Sequence, residues 1–169
     1  WPLAQWIAAQ QRARPGCLVV GINGAQGTGK STLAGVVREF LELLGLHSAV
    51  LALDDLYLPR AERLRLAETV HPLLATRGVP GTHDVELGVE LLDRLRALRA
   101  GESLSLPRFD KANDDRAEAA HWTTVAGPVD VLLFEGWCVG TPPQAFPSMK
   151  SKPAPAKASA LRTLGSCCA

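Results

Sequence analysis

The sequence predicts an α/β fold, a three-layer sandwich built on a mainly parallel sheet. Three observations carry the prediction. Short apolar runs at residues 18–22, 48–53 and 129–134 alternate with longer amphipathic stretches, the pattern of strand–helix–strand units. Each run stops at glycine or acid, at Gly24, at Asp54-Asp55 and at Glu135-Gly136, and sheets of this kind bind ligands beyond the carboxyl ends of their strands. A glycine-rich loop joins the first run directly to a helical stripe. The chain has 169 residues, 47% hydrophobic and 21% charged, enough for one packed domain.

In chain order, residues 1–14 read as an amphipathic helix with Trp6 and Ile7 against the body, ended by Pro15-Gly16. Residues 18–22 are β-branched and bounded by glycine, as suits a buried parallel strand. Leu33, Val36, Val37, Phe40, Leu41 and Leu44 form a helical stripe over 32–44, closed by Gly45. A second strand spans 48–53. Residues 59–76 are helical in part and broken at His71-Pro72. A turn-rich stretch, 77–84, precedes a helix over 85–100 with Leu87, Leu91, Leu92, Leu95 and Leu98 on one face. Residues 104–109 read as a short strand, 110–116 as a polar loop, and 129–134 as a third buried strand.

The glycine loop is Gly24-Ala25-Gln26-Gly27-Thr28-Gly29-Lys30-Ser31, an unbroken G-x-x-x-x-G-K-[ST] pattern placed between strand and helix. Such a loop turns successive backbone N–H groups inward onto phosphate oxygens, and the next helix offers its positive end to the same anion. Lys30 can reach the β- and γ-phosphates, and Ser31 can place its hydroxyl on Mg2+. With Thr32 these residues are expected to form the nucleotide-binding set of a P-loop NTPase fold, with ATP or GTP and Mg2+ as cofactors.

Phosphoryl transfer also needs carboxylates. Glu135 follows an apolar strand, where an acid directed at the metal is expected; the alternative is an ordinary strand-end acid. At the second strand, Asp54 reads as the base that takes the acceptor's proton, and Asp55 as the more structural member, capping the next turn. Arg77, His83, Asp84, Arg108, Asp110, Lys111 and Arg116 lie in two loops flanking the 85–100 helix. Arginine can hold a carboxylate bidentately, so this mixture suits a small acceptor bearing a carboxylate and hydroxyls. Asp84 is equally a good N-cap for that helix, and Asp110 and Asp115 are equally solvated loop acids.

Taken together, the glycine loop, Leu53-Asp54-Asp55-Leu56-Tyr57-Leu58, Arg77-Gly78-Val79-Pro80-Gly81-Thr82-His83-Asp84, Pro107-Arg108-Phe109-Asp110-Lys111 and Phe134-Glu135-Gly136-Trp137 resemble the plant- and fungal-type D-glycerate 3-kinases and their bacterial relatives. These belong with the uridine kinase, phosphoribulokinase and pantothenate kinase group. The resemblance covers roughly residues 18–140. It implies ATP-dependent phosphorylation of a small hydroxylated carboxylate such as D-glycerate. It implies catalytic roles for Lys30, Asp54 and Glu135, with Ser31 and Glu135 at the metal. It implies an acceptor pocket drawing on Asp55, Tyr57, Arg77, His83, Asp84, Arg108, Phe109, Lys111 and Arg116. Family members often carry Gly-Asp-Arg near this last segment, where Asp114-Asp115-Arg116 keeps Asp-Arg without the glycine.

Family members continue past the position of Gly140 with more strands, a lid helix bearing arginines and an adenine-contacting loop. Here a Pro/Ala/Lys-rich tail follows, so the expected organisation is a partial kinase domain at 1–140 and a disordered or aberrant tail at 141–169. A truncated nucleotide binder with little turnover, a kinase for another acceptor such as a nucleoside or pantothenate, and a nucleotide-dependent switch are the competing readings. The net charge of +1 argues against nucleic-acid and membrane partners. Cys17, Cys138, Cys167 and Cys168 fit no zinc or disulfide spacing, and reduced thiols in a cytoplasmic protein are expected. The start at Trp1 lacks the pattern of a secretory signal and lacks Met, as expected of a fragment or processed form. Oligomeric state is left open.

Overall fold

A computed structural model describes residues 1–142. The tail expected at 141–169, with Cys167 and Cys168, lies otherwise outside the described residues. The element order is α1 (Pro2–Arg12), β1 (Leu18–Asn23), α2 (Lys30–Leu43), β2 (Ser48–Ala52), α3 (Arg60–Thr69), α4 (Val85–Ala97), β3 (Ser103–Leu106), β4 (Phe109–Asp110), β5 (Asp115–Arg116), β6 (Thr123–Ala126) and β7 (Val131–Gly136). Short 3-10 turns occupy Leu53–Leu56, Pro72–Ala75 and Ala119–His121. None of the described helices is long and apolar enough to cross a membrane.

The sheet order is β1-β7-β2, and both pairings are parallel. All six residues of β7 are buried, as a central strand covered on both faces must be. Its side chains alternate between two cores. Val131 and Leu133 face Ile7 of α1 and Ala34, Val37 and Leu41 of α2. Leu132 and Phe134 face Leu91, Leu92 and Leu95 of α4 and Leu104 and Leu106 of β3. The period-two alternation of one strand thus builds the three layers. The register sets Asn23 opposite Gly136 and Ala52 opposite Glu135, so the strands end together at one edge.

Several local expectations change. Trp6 is 58% exposed while Ala4, Ile7 and Ala8 are buried; the small alanines let α1 lie close on α2, and the aromatic contact is made by Trp1, edge-on to Phe40 at 5.2 Å. On α2, Leu33 and Val36 are exposed and the buried residues are Ala34, Val37 and Leu41, a stripe rotated from the one expected. The strand expected at 104–109 breaks at Pro107, which has no N–H for a ladder. Its first part pairs antiparallel with β6, at Thr123–Ala126, a strand outside the elements expected above. The expected loop at 110–116 is a small hairpin, in which Phe109 pairs Arg116 and Asp110 pairs Asp115.

Candidate active site

The phosphate loop leaves β1 at its carboxyl end and enters α2 through Gly29, whose φ of 80° is left-handed and favours glycine. No side chain caps α2, so its first amides keep their donors for an outside anion. The loop holds its own shape: Thr28 Oγ1 donates to the Ala25 carbonyl at 2.8 Å, and Lys30 Nζ donates to the same oxygen at 2.8 Å. Lys30 is therefore folded across the loop, tethered by one bond to a neutral acceptor that a phosphate anion can outcompete.

Two acids stand beside the loop. Glu135, at the end of β7, is only 5% exposed and accepts from Ser31 Oγ at 2.6 Å. Among the described residues it has no basic partner within ion-pair distance. A buried carboxylate without a counter-charge, next to a hydroxyl, is a pair of hard oxygen donors suited to Mg2+. No group of three or more His, Cys, Asp or Glu side chains able to hold a metal occurs among the described residues, so phosphate and water would complete such a site, as is usual for this ion. Gly136 lets Glu135 sit there, since a Cβ at that position would lie 2.6 Å from Leu53 Cβ.

Asp54 and Asp55 leave β2 in the 3-10 turn and diverge. Asp55 is buried and does not cap that turn; its Oδ1 accepts from the Phe109 N–H at 2.9 Å and its Oδ2 from Arg108 at 3.1 Å. Burial pushes its carboxyl above the usual range, and the Phe109 N–H and then Arg108 draw it back. Asp54 points the other way, into the cleft, where Lys111 Nζ donates to its Oδ2 at 2.7 Å. Burial holds the Tyr57 phenol at about 12, and the nearby Asp54 carboxylate adds to the rise, so Tyr57 remains an O–H donor.

The cleft itself has a volume of about 930 Å3 and opens to solvent. Its walls include Gln26, Gly27, Gly29, Lys30, Ser31 and Thr32 of the phosphate loop, Asp54, Tyr57, Arg77, Lys111 and Glu135, together with Asp114 and Trp137. A second groove, about 900 Å3, borders β2 and contains Asp55 and Arg108 but no part of the phosphate loop. The remaining acceptor-pocket candidates stand behind the cleft wall. Phe109 is buried edge-on to Tyr57 at 5.2 Å. Asp84 caps α4 by accepting from the Leu87 N–H at 3.1 Å, and it also accepts from Arg116 at 3.1 Å. Arg116 reaches the Tyr57 carbonyl at 3.0 Å. His83 stacks on Tyr57 at 4.3 Å. His83 Nε2 and Arg116 Nε are buried without a hydrogen-bond partner.

Two residues outside the sequence expectations organise this wall. Arg63 is 0% exposed. It donates to the carbonyls of Leu58, Ala75 and Asp114 and pairs with Asp114 Oδ2 at 3.0 Å. Asp114, at a left-handed φ of 53°, also accepts from Arg77 at 2.7 Å. One buried guanidinium thus ties together the turn after Asp54, the segment before Arg77 and the hairpin bearing Lys111. Both arginines lie over the Phe109 ring, at 5.8 and 5.7 Å. α3 has almost no amphipathic pattern, so nothing in its sequence marks Arg63 as the inward residue.

Burial lowers the His83 imidazole from 6.5 to about 4, which favours its neutral form in the folded protein. As pH falls below 6.5 the unfolded chain takes up the proton first, so stability is lost between about pH 6.5 and 4. The loss from this group is expected to reach about 2–3 kcal/mol. Urea unfolding at pH 7.5 and 4.5 measures it, and His83→Phe, which keeps the stack on Tyr57, should remove that portion of the difference.

No protein-family model matches the chain. It is 38% identical over 134 residues to the chloroplastic D-glycerate 3-kinase of Arabidopsis thaliana, covering 75% of this chain and 29% of that protein. It is 30% identical to a uridine kinase of Mannheimia succiniciproducens, over 73% of this chain and 54% of that protein. Among solved structures, D-glycerate 3-kinase from Cryptococcus neoformans superposes with a TM-score of 0.75 at 33% identity, covering 85% of this chain and 54% of that one. The chain therefore spans about half the length of these relatives, or less.

Proposed function

We propose that this chain, which belongs with the P-loop kinases related to D-glycerate 3-kinase and uridine kinase, transfers the γ-phosphoryl group of ATP to a hydroxyl of a small carboxylate-bearing metabolite, D-glycerate being the leading acceptor. One observation carries the reading. A single cleft brings Lys30 and Ser31 of the phosphate loop together with Asp54, Lys111 and Arg77. Lys30 and the amides opening α2 bind the phosphates. Ser31 and Glu135 hold Mg2+, which when bound neutralises phosphate charge and supports the leaving group. Asp54 accepts the proton of the attacking hydroxyl. Lys111 and Arg77, paired with Asp54 and Asp114, give the acceptor side cationic donors that suit a carboxylate better than an uncharged nucleoside.

A coupled ADP-release assay with D-glycerate, uridine, pantothenate and ribulose phosphate tests this. Release stimulated most by D-glycerate is the expected result. Nucleotide binding with no acceptor-dependent release would leave the second reading, a nucleotide binder without efficient turnover. Lys30→Ala serves both readings. Losing a charge-assisted phosphate contact should weaken ATP binding about 10- to 100-fold, measured by calorimetry.

A further inference from the structure

Lys111 lies at the turn of the β4–β5 hairpin, and its ammonium donates to Asp54 Oδ2 at 2.7 Å. The backbone beneath it is fixed. Arg77 Nη1 donates to the Lys111 carbonyl at 3.3 Å and to Asp114 Oδ1 at 2.7 Å, and Arg63 holds Asp114 from the buried side. The lysine side chain is 62% exposed and that of Asp54 39%. Ion pairs between such solvated groups are weak and exchange readily, while the hairpin that carries the lysine is anchored. The cleft thus holds a base with one oxygen already occupied by a cation. Arg77 is committed to Asp114 and the Lys111 carbonyl, which leaves Lys111 as the more available cation.

A neutral alcohol entering this cleft offers the ammonium only an uncharged oxygen, a weaker acceptor than Asp54. A hydroxy-carboxylate offers its own carboxylate. We infer that Lys111 is a specificity switch: the acceptor's carboxylate takes the ammonium from Asp54, and the freed carboxylate oxygen then accepts the acceptor's hydroxyl proton. The exchange breaks one N–H···O contact and forms another, with no covalent change. In the transfer that follows, the hydroxyl oxygen bonds to phosphorus, its proton passes to Asp54, and the bond to the ADP oxygen breaks. The inference rests on the reading of Asp54 as base, and it adds a reason for an acidic acceptor that acts on kcat as well as on binding.

The test is a double-mutant cycle. D-Glycerate, with glycerol as the neutral control, is titrated calorimetrically into the full chain and into Asp54→Asn, Lys111→Met and the double variant, each saturated with a non-hydrolysable ATP analogue and Mg2+. Asp54→Asn is expected to tighten D-glycerate binding about fivefold when Lys111 is present and less than about twofold when it is absent. Lys111→Met should weaken D-glycerate by roughly tenfold or more without changing glycerol, and Lys111→Arg should restore the preference. Equal tightening by Asp54→Asn in both backgrounds would reduce the effect to charge repulsion and overturn the switch, leaving the kinase reading intact. If the unaltered chain binds D-glycerate no better than glycerol, the acidic-acceptor reading falls and the switch falls with it.

Discussion

Asp54→Asn is expected to reduce kcat for the transfer by about 10²- to 10⁴-fold, the range for loss of a positioned general base. Nucleotide affinity should stay within about twofold, because Asp54 touches Lys111 and not the phosphate loop. The substitution preserves shape and removes the ability to take a proton. Asp55→Asn should behave differently. Asp55 accepts from Phe109 N–H and Arg108 on the far side of the turn, so its loss should lower stability and loosen the hairpin before it touches chemistry. Steady-state kinetics with separate kcat and KM values, beside nucleotide titrations, distinguish the two acids. A kcat for Asp54→Asn within tenfold of the parent would remove it from the role of base.

Arg63→Met is expected to cost about 3–5 kcal/mol, from buried carbonyls left without a donor at about 1–3 kcal/mol each, rather than from Asp114, which is 39% exposed. The substitution strands the carbonyls of Leu58 and Ala75 and leaves Asp114 with Arg77 alone. For a domain of this size the Tm should fall by roughly 10–20 °C, read by calorimetry or thermal circular dichroism. Arg63→Lys should recover only part of this, since an ammonium lacks the planar fork that serves several acceptors at once. A loss for Arg63→Met below about 1 kcal/mol would mean that the carbonyls find water instead, and the wall of the cleft would need another anchor.

The phosphate loop and the strands beside it were legible because their rules are local. A strand, a glycine-bearing turn and a helix start are written in consecutive residues, and the carboxyl ends of β1, β2 and β7 meet because parallel strands in register must end together. Asp54 and Glu135 could be placed on the same grounds. Local rules failed where a distant partner decides. Trp6 looked like an anchor by size, but α1 turns Ala4 and Ala8 inward to approach α2. Asp55 was expected to cap the next turn, while its actual partner, the Phe109 N–H more than fifty residues on, could not be read from its neighbours. Arg63 was invisible because a buried arginine is set by the carbonyls around it, and those come from three separate segments. Resemblance gathered the acceptor-side residues into one group. The structure separates Tyr57, Arg77 and Lys111, which line the cleft with Asp54, from Phe109, Asp84 and Arg116, which support it from behind.

The most direct measurement follows phosphorus. ATP, Mg2+ and D-glycerate are incubated with the purified chain and with its Asp54→Asn variant, and products are followed by 31P NMR. A new phosphomonoester resonance is expected to grow with ADP in the unaltered chain and to be suppressed in the variant. Nucleotide bound in the cleft with no phosphoester formed on D-glycerate or any other acceptor of the panel, or ATP hydrolysed to inorganic phosphate at the same rate with and without acceptor, would contradict the kinase reading.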